Sequence, residues 1–243
     1  MISEEQQGFL DEVFYLAQIQ LESNPEESFE TLQKGIFDGL TLSKTVRNLL
    51  FEVFPKILLP LKRAIKTLIP IDKYEESHGS KFFYSVRDYK KKLENQVLEI
   101  SKSFITSMDH FSKNSELSSI QQVFSLNIKA ECYRLQAEYG EFESRENNIQ
   151  NALDLFINAT NLAENSLEPA EVVRLEAFYS YGLFLYEVLE QRMSAIIKIK
   201  QSFDDAIGDI YQFTPNLDEL QKSMQKIRDK LTMWSNEMND ELS

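Results

Sequence analysis

Four basic side chains lie in a stretch of the chain that contains no carboxylate. Between Glu52 and Asp72 the basic residues are Lys56, Lys62, Arg63 and Lys66. The whole chain has 26 basic and 39 acidic residues, which gives a formal net charge of -13. Cations that stand apart from this acidic background can present concentrated positive potential to an anionic ligand. They could equally form a solvated helix face that pairs with the surplus carboxylates, as most exposed charges do.

No other pattern in the sequence indicates catalytic or metal chemistry. His78 and His110 have no partner at metal-ligand spacing, and Cys132 is the only cysteine. The sequence also lacks the glycine fingerprints of phosphate-binding loops and dinucleotide folds. We therefore expect a protein that is not an enzyme and has no cofactor and no metal site. The negative charge argues against nucleic acid as a partner, because such binding needs many cations facing a phosphate backbone.

The elements that must position these cations are predicted to be helices. The 243-residue chain has only seven glycines and six prolines, and it is rich in helix-forming residues. Its apolar residues recur at steps of three and four, as on the buried faces of helices, and the connections are short. We predict one all-α domain, residues 1–243, with nine antiparallel helices at 3–22, 26–38, 44–69, 81–113, 117–140, 146–166, 169–190, 193–213 and 215–238.

Local signals set several of these boundaries. Asn24 and Thr214 each precede a proline, which places a capping side chain before a proline at the first helical position. Pro55 and Pro60 lie inside the third helix and predict a kink there. The N-terminal residues lack the basic and then apolar order of a signal peptide, and no apolar run is long enough to span a bilayer. We therefore expect a cytoplasmic protein that does not bind membranes.

Several short motifs occur in the order and spacing of one known family. They are Arg228-Asp229-Lys230-Leu231-Thr232-Met233-Trp234, Arg47-Asn48-Leu49-Leu50, Tyr133-Arg134, Arg174-Leu175, Tyr186-Glu187 and Phe203-Asp204-Asp205-Ala206-Ile207. From the third helix onward the chain resembles a divergent 14-3-3 protein, whereas the first helix and residues 73–80 match poorly. This resemblance implies a nine-helix antiparallel protomer with a concave peptide groove. It implies a dimer formed through residues 1–113, further groove helices in 117–238 and a short tail at 239–243.

The resemblance also implies a function and a phosphate site. Proteins of this family are adaptors that bind phosphoserine or phosphothreonine segments of client proteins and regulate them by masking, clamping or scaffolding. Their phosphate pocket uses two cations of the third helix and one of the fifth, which correspond here to Lys56, Arg63 and Arg134. The match at Lys56 needs one extra residue after Arg47, which Pro55 could supply as a helix bulge. Several fixed cations suit a phosphate group, because it carries close to two negative charges and three acceptor oxygens.

The expected groove departs from the family pattern at three positions that contact the peptide. Leu135 replaces a tyrosine that donates its hydroxyl to the phosphate, and Ser180 and Lys230 replace asparagines that hold the peptide backbone. Restoring a tyrosine at Leu135 is expected to strengthen binding by about 1 kcal/mol, the contribution of one hydrogen bond.

The other groove positions implied by the resemblance are Tyr179, Leu183, Glu187, Lys222, Lys226 and Trp234. Lys222 and Lys226 fall near leucines of the family's apolar wall, so the client residues preferred beside the phosphate are expected to differ. Leu183 and Trp234 could equally be retained for core packing. The altered clamps leave a second interpretation open, which is a helical scaffold of the same fold that binds partners without phosphate.

The dimer contact implied by the resemblance is changed as well. The family pairs an arginine of the first helix with a glutamate of the fourth, and these positions hold Glu22 and Gln96 here. Tyr89 and Lys92 keep the pattern of the fourth helix. We expect Glu22 to contact Lys92 of the partner subunit instead, in a homodimer with two-fold symmetry.

Overall fold

Helices make up nearly all of the chain that the computed structural model describes, which is residues 4–114, 116–209 and 217–242. This part of the chain contains no strand and forms nine α-helices: α1 (Glu4–Ser23), α2 (Pro25–Phe37), α3 (Lys44–Ser77), α4 (Phe83–Asn114), α5 (Ser119–Tyr139), α6 (Phe142–Ser166), α7 (Val172–Glu187), α8 (Arg192–Asp209) and α9 (Leu217–Leu242). The all-α prediction is confirmed. None of these described helices is both long and apolar enough to cross a membrane.

The capping signal at Asn24 correctly predicts where α2 begins. The side-chain oxygen of Asn24 accepts a hydrogen bond from the backbone N–H of Glu27 at 3.3 Å, and Pro25 is the first residue of α2. The cap expected at Thr214, with the helix end at 213 and the helix start at 215, lies outside the described residues. Helix α9 continues to Leu242, so it includes most of the expected tail.

The third helix is longer than its prolines predict. It contains Pro55, Pro60 and Pro70 and continues to Ser77, eight residues beyond the end predicted at 69. The added segment is held by the buried carboxylate of Asp72, which accepts a hydrogen bond from Lys90 of α4 at 3.1 Å and lies 3.5 Å from the Arg87 guanidinium. The hydrogen bond from Lys90 lowers the pKa of Asp72. This tertiary contact outweighs the local effect of the proline.

Contacts within the chain divide it into two compact units. The first comprises Met1–Glu116 and Leu135–Asn147. In this unit α3 and α4 pack together with the last turn of α5 around a set of apolar side chains, which are Leu58, Ile65, Leu93, Val97 and Leu135. The packing follows from the three- and four-residue spacing of apolar side chains along α3 and α4, which places them on one face of each helix.

The second unit comprises Leu117–Arg134 and Asn148–Ser243. Its core contains Phe156, Phe184 and Trp234, each of which is 1% exposed or less. Helices α7 and α8 approach closely, since a Cβ atom at Gly182 would lie 2.2 Å from Ile199. Helix α7 buries side chains on most of its faces, as its nearly uniform apolar sequence predicts.

Candidate functional site

Arg63 is an exposed cation on α3. Within the described parts of the chain, its guanidinium has no ion-pair or hydrogen-bond partner. Lys56 lies seven residues earlier, which is about two turns, so both residues occupy the same side of the helix. The bulge expected at Pro55 is absent from this described helix, because α3 is a continuous α-helix there. Loss of one backbone donor at a proline does not require an inserted residue.

Lys56 makes an ion pair that the sequence did not predict. Its ammonium donates to the carboxylate of Glu22 on α1. The Glu22 side chain is 80% exposed and that of Lys56 is 36% exposed, so water reaches the pair and screens it. A bound anion would therefore compete with Glu22 for Lys56.

A cavity of about 380 Å³ adjoins Arg63 in the first unit. Its charged lining comprises Lys62, Arg63, Lys66, Lys90, Glu94 and Glu138. Because Lys90 is bound to Asp72 and Lys62 lies beside Glu138, Arg63 and Lys66 remain against the single carboxylate of Glu94. Lys62 lies 3.7 Å from Glu138, and burial raises the pKa of Glu94. The excess of cations gives this surface positive potential within an acidic protein.

Arg134 lies on α5 in the second unit, where a neighbour fixes its orientation. Its Nε and one terminal nitrogen donate to the same carboxylate oxygen of Glu131, at 3.0 and 2.8 Å. Both side chains are 14% exposed. Cys132 lies two residues before Arg134 and is buried. This burial raises the pKa of the Cys132 thiol well above the ordinary value. The thiol is therefore protonated and unsuited to act as a nucleophile.

Leu135 packs in the core of the first unit. It is 1% exposed and belongs to the core formed by α3, α4 and α5 in the first unit. This burial argues against the expectation that a tyrosine there strengthens binding. A tyrosine would enlarge a side chain that is already buried, and overpacking destabilises a fold.

The other residues expected to line the groove belong to α7 and α9 in the second unit. Tyr179, Ser180 and Leu183 are half-buried on α7, and Glu187 is exposed one turn later. On α9, the residues at steps of four are Lys222, Lys226 and Lys230, which places them along one face. Lys230 donates to Glu187 at 3.3 Å.

Trp234 is a core residue. It is 1% exposed, and its ring stacks on that of Tyr186 with 4.1 Å between the centroids. The Tyr186 hydroxyl donates to Glu237 at 2.8 Å. Core packing was an alternative explanation for both Trp234 and Leu183. Trp234 is buried in the core, whereas Leu183 is only half-buried against it.

Glu176 is a buried carboxylate of α7 that was not predicted to be part of the site. Glu176 is 8% exposed and accepts hydrogen bonds from the Ser223 hydroxyl at 2.8 Å and from the Lys226 ammonium at 2.6 Å. The ammonium also lies 4.1 Å from the centroid of the Tyr179 ring. Burial, with Glu176 nearby, raises the pKa of Tyr179 to about 12. An acidic residue inside an apolar helix, with a lysine in place of an expected leucine, was the available signal.

The expected dimer residues Tyr89, Lys92 and Gln96 are all exposed and share one side of α4. Glu22 was expected to contact Lys92 of the partner subunit, but within the protomer its carboxylate binds Lys56. Helix α1 has two apolar faces. One is buried through Leu10, Val13, Ala17 and Leu21, and the other is exposed through Phe9, Tyr15, Leu16 and Ile19.

Comparison with known proteins identifies the family. The model of the 14-3-3 protein family matches residues 17–235. A 14-3-3-like protein of Helianthus annuus is 28% identical over 239 residues, which cover 95% of this chain and 92% of the relative. 14-3-3 protein 5 of Solanum lycopersicum is 27% identical, with coverage of 95% and 92%. A 14-3-3 protein homolog of Trichoderma harzianum is 26% identical, with coverage of 93% and 87%.

In the described residues no group of three or more histidine, cysteine or acidic side chains could hold a metal ion. The nine described helices and the family match agree on the fold. The chain therefore belongs to the 14-3-3 family, whose members are not enzymes but dimer-forming adaptors that bind phosphoserine and phosphothreonine segments of client proteins.

Proposed function

We propose that this protein is a cytoplasmic adaptor whose binding of clients depends on a phosphate group held by Lys56, Arg63 and Arg134. The observation that carries the proposal is that the Arg63 guanidinium is exposed and not engaged by another described residue. In a chain with a net charge of -13, its exposed guanidinium has no partner among the described residues and adjoins a cavity with surplus cations. The resemblance assigns the same ligand to Lys56 and Arg134.

The chemistry of these three side chains suits phosphate recognition. A guanidinium presents several donors in a planar fork that matches phosphate oxygens, and an ammonium adds a mobile point charge. Each charge-assisted hydrogen bond contributes about 1.5 to 3 kcal/mol. Two of them separate a phosphorylated segment from its bare form by about 100-fold or more in affinity.

Fluorescence polarisation with matched peptides tests this proposal. One serine-containing peptide is labelled and compared with its phosphoserine form and with a form carrying glutamate at that position. We expect the phosphoserine peptide to bind and the other two to bind at least about 100-fold more weakly. Equal affinity for the phosphorylated and bare peptides would overturn the proposal and favour a scaffold that does not use phosphate.

Glu22 is expected to compete with the phosphate for Lys56. Its replacement by glutamine removes the negative charge that Lys56 binds within the protomer. Because exposed ion pairs contribute about 0.2 to 1 kcal/mol, Glu22→Gln should raise the affinity for a phosphopeptide by up to about fivefold. The same polarisation titration measures this increase.

Glu30→Gln is a matched control, because Glu30 is also exposed and the change in net charge is identical. The control should leave affinity within about twofold, since the carboxylate paired with Lys56 is that of Glu22 and not that of Glu30. An equal increase in both variants, or none in Glu22→Gln, would show that Glu22 does not compete.

We further propose that the exposed apolar face of α1 forms the dimer interface. Ile19 is 56% exposed and Leu16 is 47% exposed, and such a stripe is stabilised when a second copy covers it. The charge contact between Glu22 and Lys92 of the partner subunit stays a prediction. It requires Glu22 to leave Lys56, so the apolar side chains are expected to carry more of the dimer stability.

An acidic residue in this face should weaken the dimer. Ile19→Asp would place a charge in an apolar interface, and we expect it to raise the dimer dissociation constant at least about tenfold. Sedimentation velocity at micromolar concentrations measures the change. Gln18→Asp adds the same charge beside the apolar face and should change it much less. Equal effects of the two substitutions would rule out this face.

A further inference from the structure

The buried carboxylate of Glu176 changes the character of the expected groove wall. Its side chain is 10% exposed, and both of its bonded partners, Ser223 and Lys226, come from α9. Lys226 retains 42% exposure while it bonds Glu176 and covers the Tyr179 ring. An ion pair with a half-exposed ammonium therefore occupies a position where the sequence resemblance implied an apolar side chain.

Two of the three lysines on this face of α9 form ion pairs with glutamates of α7, and the third does not. Lys226 pairs with Glu176, and Lys230 pairs with Glu187. Lys222 lies one turn before Lys226 on the same side of the helix and is exposed. Among the described residues its ammonium has no ion-pair partner. Asp218 continues the same four-residue step, so this face has no net positive charge. Lys222 differs from the other two lysines because its ammonium is not in an ion pair with α7.

We propose that this face selects client segments that carry an acidic side chain near the phosphorylated residue and rejects apolar ones, with Lys222 as the specificity-determining residue. The inference rests on the proposed function, because it assumes that the phosphorylated segment lies along α7 and α9. It adds a client class to that function. The preferred clients are acidic phosphorylated segments.

Both halves of this selectivity follow from desolvation and charge. An apolar client side chain placed against the wall removes water from the half-exposed Lys226 ammonium without giving it a new acceptor, which opposes binding. A carboxylate near Lys222 gains a charge contact and leaves the hydration of the wall largely intact. The contact is exposed, so the preference should be moderate and should weaken as salt increases.

A peptide array provides the test. In a phosphoserine peptide, glutamate, glutamine or leucine is placed in turn at each of the three positions on either side of the phosphoserine. At one or more positions we expect glutamate to bind about fivefold more tightly than leucine in low salt, with glutamine in between. The preference should fall below about twofold in 0.5 M salt, where the Debye length is less than half its value at 0.1 M.

Substitutions at Lys222 separate this inference from general charge effects. Lys222→Gln should abolish the preference for glutamate over glutamine, and Lys222→Glu should reverse it, so that the glutamine peptide binds more tightly than the glutamate peptide. Both variants should still bind only phosphorylated peptides. Lys200→Gln is the matched control, because Lys200 is an exposed lysine of the same unit that pairs with Asp204 on α8. It should keep the preference.

The outcomes distinguish the inference from the proposed function. Phosphopeptides that bind equally well with glutamate and leucine at every position would overturn the inference and leave phosphate dependence intact. A glutamate preference that survives in Lys222→Gln would also overturn it, because Lys222 would not be its source. Equal binding of phosphorylated and bare peptides would overturn the proposed function, and the inference with it.

Discussion

Charge reversal at Arg63 should lower the affinity for a phosphoserine peptide by at least about 100-fold. The substitution Arg63→Glu removes a guanidinium that has no other described partner and places a carboxylate opposite the phosphate dianion. Loss of one or two charge-assisted hydrogen bonds accounts for about 1.5 to 3 kcal/mol each, and repulsion adds to this. Fluorescence polarisation of one labelled phosphopeptide measures the change. Because Arg63 is exposed, the substitution should leave thermal stability nearly unchanged.

Lys73→Glu is the control for this prediction. Lys73 is exposed on the same helix, and the charge change is the same. It lies ten residues further along, about 15 Å by the rise of an α-helix, which exceeds the screening length at physiological salt. The control should therefore change affinity by less than about twofold. A loss of similar size in both variants would mean that Arg63 acts only through the overall charge of the protein.

Removing Lys226 should destabilise the second unit because it leaves Glu176 buried without its cation. For Lys226→Leu we expect the free energy of unfolding in urea to fall by about 2 kcal/mol. This is less than the 3 to 5 kcal/mol typical of a fully buried pair, because Lys226 is 42% exposed. Replacing both partners in Glu176→Leu/Lys226→Leu should restore most of the loss, since apolar side chains can replace a buried ion pair.

The two substitutions should therefore be strongly non-additive, as expected for groups in direct contact. Lys200→Leu provides the control, because its ion pair with Asp204 is more than half exposed on both sides. That substitution should cost less than about 1 kcal/mol. A double variant no more stable than Lys226→Leu would contradict the account of the pair.

The sequence predicted the elements of this fold because their signals are local. The apolar spacing of α3 and α4 and the cap at Asn24 act within a few residues, and each is found in the structure. The end predicted for α3, at residue 69, was wrong for a physical reason. The ion pairs of Asp72 with α4 hold the helix beyond Pro70, and they depend on two helices meeting.

The candidate site was less predictable because its neighbours are distant in sequence. The cations of α3 could be found, but the binding of Lys56 by Glu22 joins residues 34 positions apart. The pair of Glu176 and Lys226 spans 50 positions. The position of Leu135 beside Arg134 suggested a groove residue, whereas the core of the first unit buries it. A helix turns about 100° per residue, so adjacent residues face different surroundings.

The central claim is that several cations converge on one phosphate, and phosphorus-31 NMR tests it most directly. A phosphoserine has a second pKa of about 6. Cations bound to the dianion stabilise it, and about 1.4 kcal/mol of added stabilisation lowers this pKa by one unit. For a peptide bound to the wild-type protein we predict a phosphate pKa at least about one unit below that of the free peptide, and a return toward the free value in a saturated complex with Arg63→Gln. A bound phosphopeptide whose phosphate titrates at or above the pKa of the free peptide would contradict the claim.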